Sequence, residues 1–182
     1  MTAETVTVHT TIDSPVDELL LVGEQSGCGA VALASLSMRG QRTAPTVAAD
    51  WREAPELFSD IREQLDAYFA GERTRFDIEC TSRGTDFQRR VWAAVDEIPF
   101  GTSTTYGALA AELGLARDRV QALGAAIGAN PLLLVRPCHR VIGADGTMRG
   151  YAGGVERKVA LLTHEGALPP ALLAPEAMAA SR

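Results

Sequence analysis

The feature that most restricts how this chain can fold is a change of rhythm near residue 82. Before it, the apolar residues fall in short β-rich runs, "TVTVHTTI" (5–12), "ELLLVGEQ" (18–25) and "AVALASLSM" (30–38), separated by turn-like "DSP" and "SGCG". "PELFSDIREQLDAYFAGE" then sets Leu57, Ile61, Leu65, Tyr68 and Phe69 at helical spacing, and "RFDIEC" (75–80) reads as one more strand. Residues 1–82 are therefore predicted to form a small α/β domain, a sheet with a helix. From residue 83 to 168 the texture is helical. "GTDFQRRVWAAVDEIP" aligns Phe87, Val91, Trp92 and Val95 on one face, with Thr85 as cap and Pro99 as stop. "TTYGALAAELGL" and "RDRVQALGAAIGAN" are two short helices joined by a glycine-containing turn and closed by Pro131. That pattern reads as a winged-helix-like helix-turn-helix, a form that lays its second helix in a DNA groove, although helical hairpins also serve as plain core packing. A last helix, "VERKVALLTHEG", is expected to bury Val159, Leu162 and Val155, and the Pro/Ala-rich residues 169–182 read as a flexible tail.

Composition narrows the class. Of 182 residues, 46% are hydrophobic and 22% charged, which suits a folded core rather than a disordered chain. No apolar run approaches the roughly 20 residues needed to span a bilayer, and the start lacks the pattern of a secretory signal, so a cytoplasmic location away from membranes is expected. Three cysteines, Cys28, Cys80 and Cys138, do not make a disulfide framework, and the three histidines His9, His139 and His164 are scattered. Neither a metal nor a cofactor is expected. Cys28 and Cys80, set in strand-like surroundings, read as small buried hydrophobes. Charge is uneven: 6 Arg against 14 Asp/Glu over residues 1–82 gives −8, while 10 Lys/Arg against 8 Asp/Glu over 83–168 gives +2. Any polyanion would meet the second segment.

Within that segment, "LLLVRPCHRVIG" (132–143) presses a thiol between proline and an imidazole. A free cysteine has a pKa of about 8.5, and burial raises it, yet the thiolate is the nucleophile. A buried reactive thiol here needs a proton acceptor, which His139 could supply, or positive charge, which Arg136 or Arg140 could supply. Adjacent side chains rarely bond directly, so a water relay between Cys138 and His139 is the expected geometry. Such a base needs an orienting carboxylate, for which Asp145 and Glu165 are the candidates.

The string "IPFGTSTTYGALA…GAAIGANPLLLVRPCHRVIGADGTMRGYAGGVERKVALLTHEG" closely resembles the O6-alkylguanine-DNA alkyltransferases, whose hallmark Pro-Cys-His-Arg-Val stands here as residues 137–141. The resemblance runs from about Phe87 to Gly166. It implies that Cys138 takes an alkyl group from O6 of guanine in double-stranded DNA and keeps it as a thioether, a single-turnover repair reaction of a monomer. By the same resemblance, His139 draws the proton through water, Glu165 holds His139, Asn130 braces the loop and Tyr106 donates to the departing base. Tyr151, Val141, Ala152, Lys158 and Ile127 would line the pocket for a base swung out of the helix. Gln121, Ala122 and Gly128 on the recognition helix, with Arg117, Arg119 and Arg140, would face DNA.

The chain departs from this family at Gln121, where the members carry an arginine that fills the space left by the extruded base. Gly128 stands where a second arginine can occur, and Arg136 where a small apolar residue is usual. The departure at Gln121 motivates an alternative: a thiol acceptor or lesion binder acting on another alkylated molecule. A helix-turn-helix regulator would not need Tyr106, Asn130 and Glu165 beside a thiol, and a Cys-His hydrolase would need an oxyanion hole that no motif advertises.

Overall fold

In the computed structural model, residues 5–27, 29–81, 83–148 and 150–168 are described. Two compact units divide between Arg83 and Gly84, with Pro131–Val135 belonging to the first. Cys28 and the tail 169–182 lie outside the described residues.

The first unit is a four-stranded sheet in the order β3-β2-β1-β4, where β1 is Val6–Ile12, β2 Leu19–Gln25, β3 Val31–Met38 and β4 Arg52–Glu53. β1, β2 and β3 run antiparallel as a meander; the short β4 joins β1 in parallel. Alternation sends Val8, Thr10 and Ile12 of β1 inward, as the period of two requires. The register of β2 on β3 shifts at Val22/Gly23, and a Cβ on Gly23 would stand 2.3 Å from Val31 Cγ1, so the closeness of that bend demands glycine. A 3₁₀ turn, Pro55–Phe58, leads into α1, Ser59–Phe69, which buries Ile61, Leu65 and Tyr68 beside Phe58. Leu57 and Phe69, expected with them, are only half-buried.

"RFDIEC" is not a strand. The Gln64 side chain takes the backbone of Asp77 from both sides, donating to its carbonyl at 2.9 Å and accepting its N–H at 2.8 Å. Ladder pairing is reduced to a single bridge of Cys80 with Leu33. Cys80 is half-buried rather than buried, its thiol donating to Ile78 O at 3.3 Å. Pro131–Val135 runs alongside β3: Leu36 N–H donates to Pro131 O at 2.9 Å and Leu133 N–H to Leu36 O at 3.1 Å. Leu134 then takes φ +71, and Val135 N–H closes on Leu133 O at 2.8 Å, a γ-turn in the left-handed region that a leucine adopts only under constraint.

The second unit is mostly helical, as expected. α2 (Asp86–Asp96) starts with a capping box in which the Thr85 hydroxyl accepts from Gln88 N–H and the Gln88 side chain accepts from Thr85 N–H. It buries Val91, Trp92 and Val95, while Phe87 is half-buried. Trp92 Nε1 donates to Ala126 O at 2.8 Å, tying α2 to α4 (Val120–Gly128). α3 (Tyr106–Glu112) precedes α4 across a turn with Gly114 at φ +65 and a 3₁₀ turn at Arg117–Arg119. α5 (Val155–His164) buries Lys158, Leu161 and Leu162. Val155, expected inside, is the first residue of α5 and is 38% exposed. Val159 is half-buried against a small cluster of Ile142, Met148, Leu162 and Ala167.

Two short strands position the site. β5 (Thr104–Thr105) pairs in parallel with β6 (Val141–Ile142), in register Thr104 with Val141 and Thr105 with Ile142. Tyr106 opens α3 directly after β5, and the 3₁₀ turn Cys138–Arg140 ends directly before β6. The pairing therefore brings the start of α3 beside the thiol's turn.

Candidate active site

Cys138 is 5% exposed and His139 is 0% exposed. Asn130, at the end of α4, donates from Nδ2 to Arg136 O at 3.2 Å and to Cys138 Sγ at 3.1 Å. Its place before Pro131 suits a helix stop, but its amide is spent on the nucleophile's turn. Cys138 N–H donates to Arg136 O at 2.8 Å across Pro137. Burial pushes the thiol above its ordinary range; the Asn130 hydrogen bond, Lys158 and Arg136 pull against that rise.

His139 Nε2 lies 2.8 Å from Glu165 Oε1. Of the two carboxylates weighed from sequence, it is Glu165 that meets the imidazole. Asp145 is exposed and accepts Thr147 N–H at 3.1 Å in a turn. His139 Nδ1 has no hydrogen-bond partner among the described residues. Burial lowers the His139 pKa below 6.5, against the raising influence of Glu165 and with Arg140 and Lys158 adding to the fall. The resting imidazole is therefore neutral at neutral pH, with Nε2 donating to Glu165 and Nδ1 left as an acceptor.

Arg140 corrects the sequence reading. Expected at a DNA face, it is 6% exposed, with Nε 2.7 Å from Glu165 Oε2, Nη2 3.0 Å from Oε1 and Nη1 2.5 Å from Ile98 O. A bidentate guanidinium holding a buried carboxylate has no fork left for phosphate. Charge in a sequence does not say which anion it serves, and Glu165, 25 residues further on, was the unread partner.

Tyr106 is half-buried, and burial, followed by the nearby Cys138, raises its pKa above 10.0, so the phenol stays protonated as a donor. A Cβ on Gly150 would come within 2.9 Å of its hydroxyl, and Gly150 has φ +79. Tyr151 is buried, its ring edge-on to His139 at 6.3 Å between centroids. Lys158 is fully buried and donates from Nζ to Val141 O at 2.5 Å; burial lowers its pKa to about 8. Val141 is buried and Ala152 half-buried in the same stretch, whereas Ile127 is buried on α4 among core residues.

On the outer side of the second unit, Gln121, Arg117 and Arg119 are exposed, with Ala122 and Gly128 half-buried along α4. Arg119 rides over the Phe87 ring at 5.3 Å. Arg136, read from the sequence as unusual for its position and as a possible source of positive charge for the thiol, is buried with its Nε 3.0 Å from Asp96 Oδ1 and its guanidinium 4.9 Å from the Trp92 ring centroid. Sequence reasoning missed Asp96 altogether: a charged residue at a helix end gives no sign that it pairs 40 residues away. Among the described residues no group of His, Cys, Asp or Glu could hold a metal, and no helix is long and apolar enough to cross a membrane.

Comparison with known proteins matches both units. Residues 86–167 match the family described as "6-O-methylguanine DNA methyltransferase, DNA binding domain", and residues 7–81 its "ribonuclease-like domain". A methylated-DNA–protein-cysteine methyltransferase of Mycobacterium tuberculosis is 46% identical over 163 residues, covering 90% of this chain and 94% of that protein. One from Methanosarcina acetivorans is 41% identical over 154 residues, covering 85% and 95%. The crystal structure of Mycobacterium tuberculosis OGT in complex with DNA superposes with a TM-score of 0.77 at 45% identity, covering 91% of this chain and 97% of that one.

Proposed function

Since the chain belongs to the methylated-DNA–protein-cysteine methyltransferase family, we propose that Cys138 is the alkyl acceptor of a single-use DNA repair reaction on O6-alkylguanine. The observation that carries this reading is the chain Cys138, His139, Glu165, Arg140, buried throughout and ordered by hydrogen bonds from His139 onward. The relatives are named methylated-DNA–protein-cysteine methyltransferases, and one is seen in complex with DNA, which does not favour the alternative of a lesion binder or an acceptor for some other alkylated molecule.

The steps follow from the protonation states. The thiol starts protonated because burial disfavours the thiolate more than its polar neighbours favour it. His139 is neutral, and its unoccupied Nδ1 suits one water between imidazole and thiol, so the proton passes through that water to His139. Glu165, held by Arg140, stabilises the imidazolium that forms. The sulfur attacks the alkyl carbon in line; the new S–C bond forms as the C–O6 bond breaks, and the electron pair goes to guanine. Tyr106, a phenol kept protonated, donates to that leaving base. Nothing expels a thiolate from a thioether, so the protein is consumed.

O6 of a paired guanine lies inside the stack, and a thiol 5% exposed cannot go to it. The nucleotide must come out, into a pocket that Tyr151, Val141, Ala152, Lys158 and Ile127 would line. α4, with Gln121 exposed in its first turn and Arg117 and Arg119 just before it, is the element that faces DNA. Such a reaction needs a free thiol and access to DNA, which fits a cytoplasmic protein acting as a single chain. The test is intact mass after incubation with a duplex carrying O6-methylguanine. The chain should gain one methylene group, located on the Cys138 peptide, and Cys138→Ser should gain nothing. A folded wild-type chain left unmodified by this duplex and by free O6-benzylguanine would refute the reading.

A further inference from the structure

Arg136 plays no part in the reaction described above, yet it sits at the base of the nucleophile's turn. It is 6% exposed, a cost for any guanidinium, and Nη1 has no hydrogen-bond partner among the described residues. Its partner Asp96 keeps 44% of its side chain exposed, and an ion pair half in solvent is weak evidence of stabilisation. Asp96 is itself held above its ordinary range by burial, with Arg136 only partly countering it. The pair is not built for maximal stability.

What the side chain does is hold a backbone carbonyl. Arg136 O accepts from Asn130 Nδ2 at 3.2 Å and from Cys138 N–H at 2.8 Å, while the same Asn130 nitrogen reaches Cys138 Sγ at 3.1 Å. Between that carbonyl and the nucleophile stands Pro137, at φ −80 and ψ 56, the geometry of an inverse γ-turn whose φ the ring locks. The carbonyl of Arg136 and the nucleophile are thus joined through one short, hydrogen-bonded turn. Its side chain is gripped by the Trp92 ring on one side and Asp96 on the other, both from α2.

We propose that Arg136 is a positioning residue for alkyl transfer: clamped by Trp92 and Asp96, it fixes a carbonyl that helps set Asn130 against Cys138. The assignment rests on Cys138 being the acceptor, as read above. The groups that bear on the sulfur are Asn130 just after α4, Lys158 from α5, Tyr106 from α3, His139 beside it, and Arg136 with its Asp96 partner. Loosening Arg136 removes the Asn130 hydrogen bond that favours thiolate, so the thiol should titrate higher.

The test is the pH dependence of iodoacetamide labelling of Cys138 in the full chain, read on its own peptide by mass spectrometry, with thermal unfolding in parallel. Arg136→Val should label about tenfold more slowly at pH 7, one unit in thiol pKa, and converge with wild type at high pH. Arg136→Lys, which can still pair with Asp96, should recover to within about threefold of wild type. Asp96→Ala gives the sign test, because it leaves the cation in place and removes only its anchor. Positioning requires an upward shift of the labelling midpoint; simple attraction between cation and thiolate requires a downward one. An unshifted midpoint in Arg136→Val, whatever its thermal stability, would overturn the proposal, and so would an unshifted or lowered midpoint in Asp96→Ala or no recovery in Arg136→Lys. If Arg136→Val does not fold, Asp96→Ala and Arg136→Lys decide the question alone. Labelling reads the thiol without DNA, so failure of alkyl transfer from DNA would count against the function and leave this result standing separately.

Discussion

Cys138 and His139 are neutral together in the resting site, because burial disfavours thiolate and imidazolium alike. Alkyl transfer then depends on keeping the imidazole free to accept a proton. A His whose pKa is lowered stays neutral to more acid pH than 6.5, so the acid limb of the single-turnover rate should have its midpoint below that value. Rates measured from pH 5 to 8 with a small O6-alkylguanine base check this; a midpoint at or above 6.5 would mean that Glu165 outweighs burial. At this scale the sequence was readable where chemistry is specific to a residue type, as with a thiol beside an imidazole. It was unreadable where the residue type serves several ends. Arg140 could have met phosphate as easily as Glu165, and only the folded chain brings the carboxylate to it.

Among the elements, those with strong internal periodicity were legible: β1 to β3, α1, α2 and α4 lie where the spacing of apolar residues puts them. "RFDIEC" failed because one buried side chain, Gln64, claimed the backbone groups a strand would have paired. The γ-turns at Leu134 and Pro137 carry no local signature beyond the proline, since Leu134 is held at positive φ within a segment paired to β3. α4 carries the clearest functional consequence at this scale. Under the proposed function its first turn would offer Gln121, uncharged and shorter than arginine, to the space an extruded base leaves. Gln121→Arg should therefore speed repair of O6-methylguanine in duplex more than in single strands. Rates for both proteins on both substrates test this, and equal rates throughout would show that the position does not support base extrusion.

For the whole molecule, the charge distribution sets how DNA is held. Residues 1–82 sum to −8 and residues 83–168 to +2, and Arg136 and Arg140, both buried, are withdrawn from any phosphate. Arg117 and Arg119 are the exposed cations next to α4. Two phosphate contacts imply a slope of about −2 in log affinity against log salt concentration, and a slope steeper than about −5 would reveal cations this account omits. The central claim, that the sulfur keeps what it takes, is tested most directly by counting. With a large excess of O6-methylguanine duplex, guanines restored should rise to one per protein chain and stop; continued repair beyond one per chain would show that the thiol is regenerated and contradict the account.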